Sequence, residues 1–129
     1  MPKLSSDEKW QRLNKKLIDL MKSSDFFGMG TVYYEMADFL VGEGKDPKQT
    51  KDLGYTMKLK FQKGELERIK TTGIIKKVDI LADSSSCERC LELDGKVFSI
   101  DDALKENPLP VERCTHKYGC RCTYLPVVE

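Results

Sequence analysis

Every cysteine of this chain and its single histidine lie between positions 87 and 122, in the order Cys87-x2-Cys90-x23-Cys114-Thr-His116-x3-Cys120-Arg-Cys122. A two-residue gap lets both thiolates of a Cys-x2-Cys pair converge on one metal ion while backbone N–H groups point at the sulfurs. Followed by a second compact Cys/His group, such a pair has the pattern of a tetrahedral zinc site assembled from two distant parts of a chain. The expected cofactor is one Zn2+ per chain.

The second group offers four donors, Cys114, His116, Cys120 and Cys122, for two places. In an extended chain Cys120 and Cys122 point to one face about 7 Å apart. Two thiolates on one zinc at ~2.3 Å lie within about 4.6 Å of each other. Both bind only if the chain turns between them, which Gly119 would allow. The first choice of ligands is Cys87, Cys90, Cys114 and Cys120. Cys122 is the nearest substitute and His116 the next, and these alternatives satisfy the spacing about equally well.

The elements that must position these donors follow from pattern. At 129 residues the chain fits one domain, or a small domain with a helical extension. We expect an α+β protein in which a helical segment, residues 1–73, packs on a small zinc-stapled, β-rich unit, residues 74–129, the two forming either two parts or one continuous domain. No apolar run approaches the roughly 18 residues of a membrane span, and the charged N-terminus lacks a signal-peptide core. The expected location is the cytoplasm, with no membrane partner. Thiols stay reduced there, and an odd count of five cysteines would leave one outside any closed set of disulfides.

Ser5-Ser6-Asp7-Glu8 is a capping box that opens a helix over about 6–22, whose buried stripe would be Trp10, Leu13, Leu17, Leu20 and Met21. Gly28 and Gly30 loosen the link to a second helix over about 30–41, ended by Gly42-Glu43-Gly44. Asp46-Pro47 starts a third over about 47–71, with Asp46 as N-cap and Pro47 at its first position. There Leu53, Met57 and Phe61 form one apolar row and Leu59, Leu66 and Ile69 another. Gly54 and Gly64 should each weaken this helix by about 1 kcal/mol relative to Ala.

In the second half, Ile74–Leu81 reads as a strand and Asp94-Gly95 as a turn before a short strand. Ser99 caps a short helix that Asn107-Pro108 ends. Thr123–Val128 closes the unit as a strand that Pro126 would keep at a sheet edge.

The run Cys87-x2-Cys90-x2-Leu93-Asp94-Gly95-Lys96-Val97-Phe98 … Pro108-Leu109-Pro110 … Cys120-Arg121-Cys122-Thr123 … Pro126 resembles the C-terminal part of Mu-F-like phage head-morphogenesis (minor head) proteins. The likeness covers about residues 83–128. Those proteins carry His-Pro-x before Cys-Arg-Cys, where this chain has Cys114-Thr-His116-Lys-Tyr-Gly. The resemblance implies a zinc-binding module of that type, used here by a stand-alone cellular or prophage-derived protein.

Three functional readings follow. The first is a structural zinc site that fixes a protein interaction or self-association surface, without catalysis. The second is nucleic-acid binding: residues 1–82 hold 16 Lys/Arg against 12 Asp/Glu, and Lys48, Lys51 and Lys58 with Lys60, Lys63 and Lys70 form partial basic stripes. Against it, residues 83–129 hold 6 basic and 9 acidic residues. The third is catalysis. A metal-dependent hydrolase would need an open coordination position and a base such as Asp94 or Glu92. A thiol-redox role for Cys87 and Cys90 would need the strand-then-helix setting of a thioredoxin-like site, which the sequence does not predict.

Overall fold

The structure, a computed structural model, describes residues 5–82, 88–111 and 120–128. Helices α1 (Ser6–Lys22), α2 (Phe26–Gly42) and α3 (Lys48–Thr71) come first. They are followed by β1 (Lys77–Leu81), α4 (Glu88–Leu93), β2 (Val97–Ser99), α5 (Ile100–Glu106) and β3 (Thr123–Pro126). The α+β expectation is met. The C-terminal unit differs in detail, holding two short helices where one was expected.

Local chemistry accounts for the boundaries. The Ser5 Oγ accepts from the Glu8 N–H at 3.2 Å and its hydroxyl donates to Glu8 Oε1 at 3.1 Å, so α1 starts where the capping box says. Helix α2 begins four residues earlier than expected, because the Asp25 carboxylate accepts from the Gly28 N–H at 2.9 Å and caps it. Gly28 and Gly30 therefore lie inside α2 rather than in a link. Helix α3 starts one residue late: Pro47 is its N-cap, and Asp46 Oδ1 accepts from the Lys48 N–H at 3.0 Å.

Helices α2 and α3 cross closely, and two glycines permit it. A Cβ on Gly30 would sit 3.0 Å from the Gly54 carbonyl oxygen, and one on Gly54 would sit 3.0 Å from the Tyr34 ring. This contact sets the rotation of α3. Its buried positions are Gly54, Lys58, Gln62, Leu66 and Ile69. The row through Leu53, Met57 and Phe61 is not the buried one, and Leu53 is exposed.

Two apolar clusters result. In the first, Leu17, Met29, Val32 and Met36 are covered by Trp10, Leu13, Leu20 and Met57. Met21, expected in this stripe, is exposed. The second cluster joins Leu66 and Ile69 of α3 to Val78, Ile80, Ile100, Ala103, Leu109 and Tyr124. Its sheet is antiparallel with order β2-β1-β3. Val78 and Ile80 on the central strand face inward, as alternation in a half-buried strand requires. Strand β1 is shorter than expected, with Ile74 outside it and exposed. Pro126 lies in β3, an edge strand, where its missing N–H is tolerated.

Candidate metal centre

Three cysteines come together inside the second cluster. Cys90 lies in α4, while Cys120 and Cys122 lie just before β3. All are buried, and their sulfurs lie within 4.8 Å of one another. The Cys90 and Cys120 Sγ atoms are 3.8 Å apart. Four thiolates placed tetrahedrally at ~2.3 Å from zinc would have an S–S edge of about 3.8 Å. A disulfide, at about 2.05 Å, is far shorter, and the three are thiols.

Each side chain is delivered by a definable device. The turn after α4 folds back on β1: Asp94 Oδ1 accepts from the Ala82 N–H at 3.0 Å, and the Gly95 N–H donates to the Ile80 carbonyl at 2.7 Å. Gly95 has φ +80°, a conformation that suits glycine. This ties α4, and Cys90 with it, beneath the sheet. On the other side Arg121 points outward while Cys120 and Cys122 point in. The residues 120–122 are not part of a strand, so the extended-chain separation of about 7 Å does not apply, and both sulfurs reach one group.

The Cys120 thiol holds its proton well above the ordinary range. Its hydrogen bond with Cys122 is the largest cause and burial the next, while backbone N–H groups of Val111 and Cys122 pull the other way. Three thiols in an apolar pocket cannot all ionise without compensating charge. A divalent cation supplies that charge, and the N–H groups on the sulfur favour the thiolate it would bind. The donor set and its surroundings fit a thiophilic metal ion.

Of the four first-choice ligands, Cys90 and Cys120 are brought together, while Cys87 and Cys114 lie outside the described residues, as does His116. Cys122, the nearest substitute, joins the group. Asp94 is engaged as a turn acceptor and Glu92 is exposed. Neither belongs to the metal-capable group among the described residues.

The setting of Cys90 corrects one expectation: β1 precedes it and it sits on a helix, the order that the sequence did not predict. The sheet it follows is antiparallel, however, and the sulfur of Cys120 lies beside it.

Of two buried polar residues on α3, Gln62 escaped the sequence reading and Lys58 was read only as part of a basic stripe. Gln62, buried, donates from Nε2 to the Cys122 carbonyl at 2.9 Å. Lys58, only 1 % exposed, lies one turn earlier, its Nζ 4.0 Å from the centre of the Phe27 ring and 3.4 Å from Thr31 Oγ1. Lys58, Phe27, Thr31 and Arg121 line a cavity of about 260 Å³. The signal was present: Lys58 and Gln62 are spaced i, i+4 in line with Leu66 and Ile69, so two polar residues sit on a buried stripe.

Burial removes Lys58 from the basic stripe, and Lys70 is paired with Asp101 at 2.8 Å. None of the described helices is long and apolar enough to cross a membrane. Comparison with protein-family models, with curated proteins and with solved structures returns no match for this chain.

Proposed function

We propose that this chain is a zinc-binding protein whose metal site is structural, carries one Zn2+ and holds a protein interaction or assembly surface without catalysing a reaction. The observation that carries this reading is the buried group of Cys90, Cys120 and Cys122, whose sulfurs lie within 4.8 Å of one another. The fourth donor is Cys87, Cys114 or His116. Exclusion of these thiols from water suits a closed structural site, since a catalytic one keeps a coordination position open to substrate. The three also sit among the core residues of the C-terminal unit, so metal binding would add directly to its folding energy.

The surface so fixed is the outer face of the sheet. There Val97 and Leu125 flank Asp79 across the three strands, with Leu81 beyond, and all three apolar side chains are exposed. Asp79 Oδ1 is buried there and has no hydrogen-bond partner among the described residues. The module is of the Mu-F-like phage head-morphogenesis type, and the chain acts in the cytoplasm as a cellular or prophage-derived protein. The support for these last points is the motif order from Cys87 to Pro126.

Elemental analysis of the purified chain, beside native mass with and without chelator, tests the site. One zinc per chain that survives dialysis is expected. A folded protein without metal, in which all five cysteines titrate as free thiols, would overturn the reading and revive the thiol-redox alternative.

A further inference from the structure

We propose that Gln62 is a positioning residue of the metal centre: by holding the Cys122 carbonyl from α3, it makes Cys122 one of the ligands. This inference rests on the metal-binding reading above and adds to it the group that places one of its ligands.

The two residues are separated by 60 positions, and both are buried where they meet. A primary amide taken out of water without a partner is costly to bury. Gln62 therefore belongs at this position only because the Cys122 carbonyl faces it. The bond has a geometric consequence for the thiols. A Cys-x-Cys segment brings both sulfurs to one ion only when the chain turns between them. Anchoring the peptide that follows Cys122 on a rigid helix fixes the exit of that turn. The entry is fixed separately, by the backbone N–H of Cys122 on the Cys120 sulfur. With both ends held, the side chain of Cys122 points to Cys90 and Cys120 instead of along the strand that begins at Thr123.

Gln62 is a long way from the cysteines in sequence, and its neighbours explain why it can be so exact in place. It is on α3 between Lys58 and Leu66, one turn from each, in a helix pinned to α2 by the Gly30–Gly54 approach. The helical segment thus supplies the outer support of a site whose thiols all come from the second half. Groups that orient metal ligands in this way typically change metal affinity by about 10–100-fold when removed.

The test uses the full chain and its variants Gln62→Glu, Gln62→Met and Cys122→Ser, each loaded with Zn2+ or Co2+. Zinc affinity is read by competition with a chromophoric chelator, and ligand geometry by the thiolate-to-cobalt charge-transfer and ligand-field bands. We expect Gln62→Glu, which keeps the shape but loses the donor, to bind zinc about 10–100-fold more weakly, with shifted cobalt bands. Cys122→Ser should lose part of the charge-transfer intensity. A purely structural glutamine would lower thermal stability with and without metal alike, leaving affinity and cobalt bands unchanged, and that result would overturn the proposal. So would wild-type affinity and an intact cobalt spectrum in Cys122→Ser, which decides the matter even where the Gln62 variants do not fold. A wild-type chain that takes up neither ion refutes the metal-binding reading itself, a distinct outcome from either of these.

Discussion

The sulfur atoms of Cys90 and Cys120 meet at 3.8 Å although 30 positions separate them, and no strand pairing joins α4 to the segment that carries Cys120. What holds them is the shared core beneath the sheet, in which both are essentially inaccessible. Removing the metal should therefore unsettle that core first. Free zinc at about 1,000 times its dissociation constant would raise stability by about 4 kcal/mol. Thermal unfolding followed with zinc and with a chelator should show this gap, and Cys90→Ser should abolish it. Because the Cys122 contact and then burial keep the Cys120 proton on, zinc uptake at the proposed site should displace protons, and affinity should climb with pH. Calorimetry in buffers of different ionisation enthalpy would count those protons; a count of zero contradicts thiolate ligation.

Much of this architecture could be read from residue order, and the failures share a physical cause. The capping box at Ser5, the Ser99 cap and the Asp94-Gly95 turn are local devices, in which a few neighbouring residues settle the outcome. The Cys-rich stretch pointed to a thiol group able to hold a metal because thiol spacing is also partly local. By contrast, which face of α3 is buried depends on how closely α2 approaches it. Gly54 looked like a weak point in an amphipathic helix, whereas it is the place where the Tyr34 ring and the Gly30 carbonyl come nearest. That contact turns Lys58 and Gln62 inward, and the sequence shows this only as two polar residues in line with Leu66 and Ile69. The compatibility of Cys120 with Cys122 likewise hinged on whether the chain turned at Arg121, a tertiary matter.

The two glycines inside α3 should respond oppositely to alanine. At Gly54 a Cβ would press on Tyr34 at 3.0 Å and on the Gly30 carbonyl at 3.2 Å, and that backbone cannot yield cheaply. Overpacking of this kind costs about 1–3 kcal/mol, which exceeds the gain in helix propensity. At Gly64 nothing lies within 4 Å and the position is exposed, so only propensity acts. Gly64→Ala should stabilise by about 0.5–1 kcal/mol. Urea unfolding of both variants checks the pair, and equal signs would show that the helix crossing is looser than described.

Leu66 belongs to α3 yet is packed in the C-terminal cluster, at 1 % exposure. Leu66→Ala should cost about 2–5 kcal/mol. Because α3 runs unbroken from the first cluster to the second, the loss should lower one unfolding transition rather than split it. Circular dichroism of the helices and fluorescence of Trp10 in the first cluster should move together. If Trp10 kept its wild-type midpoint, the two clusters would be energetically separate.

Tyr124 provides the pH test. Its hydroxyl accepts from the Leu109 N–H at 3.2 Å, and both residues are buried. Burial, the leading cause, pushes the phenol up to about 12 from its ordinary value near 10. A raised folded-state pKa means that the protonated phenol is the form the fold favours. Its contribution is therefore complete below about pH 10 and is lost as pH rises towards 12. Absorbance near 295 nm should reveal a tyrosine that ionises near pH 12, together with falling stability across that window. Tyr124→Phe should remove the late-titrating phenol. It should also cost about 1–3 kcal/mol at neutral pH, because the Leu109 N–H would be left buried without an acceptor. A Phe variant as stable as the wild type at pH 7 would mean that water reaches that N–H.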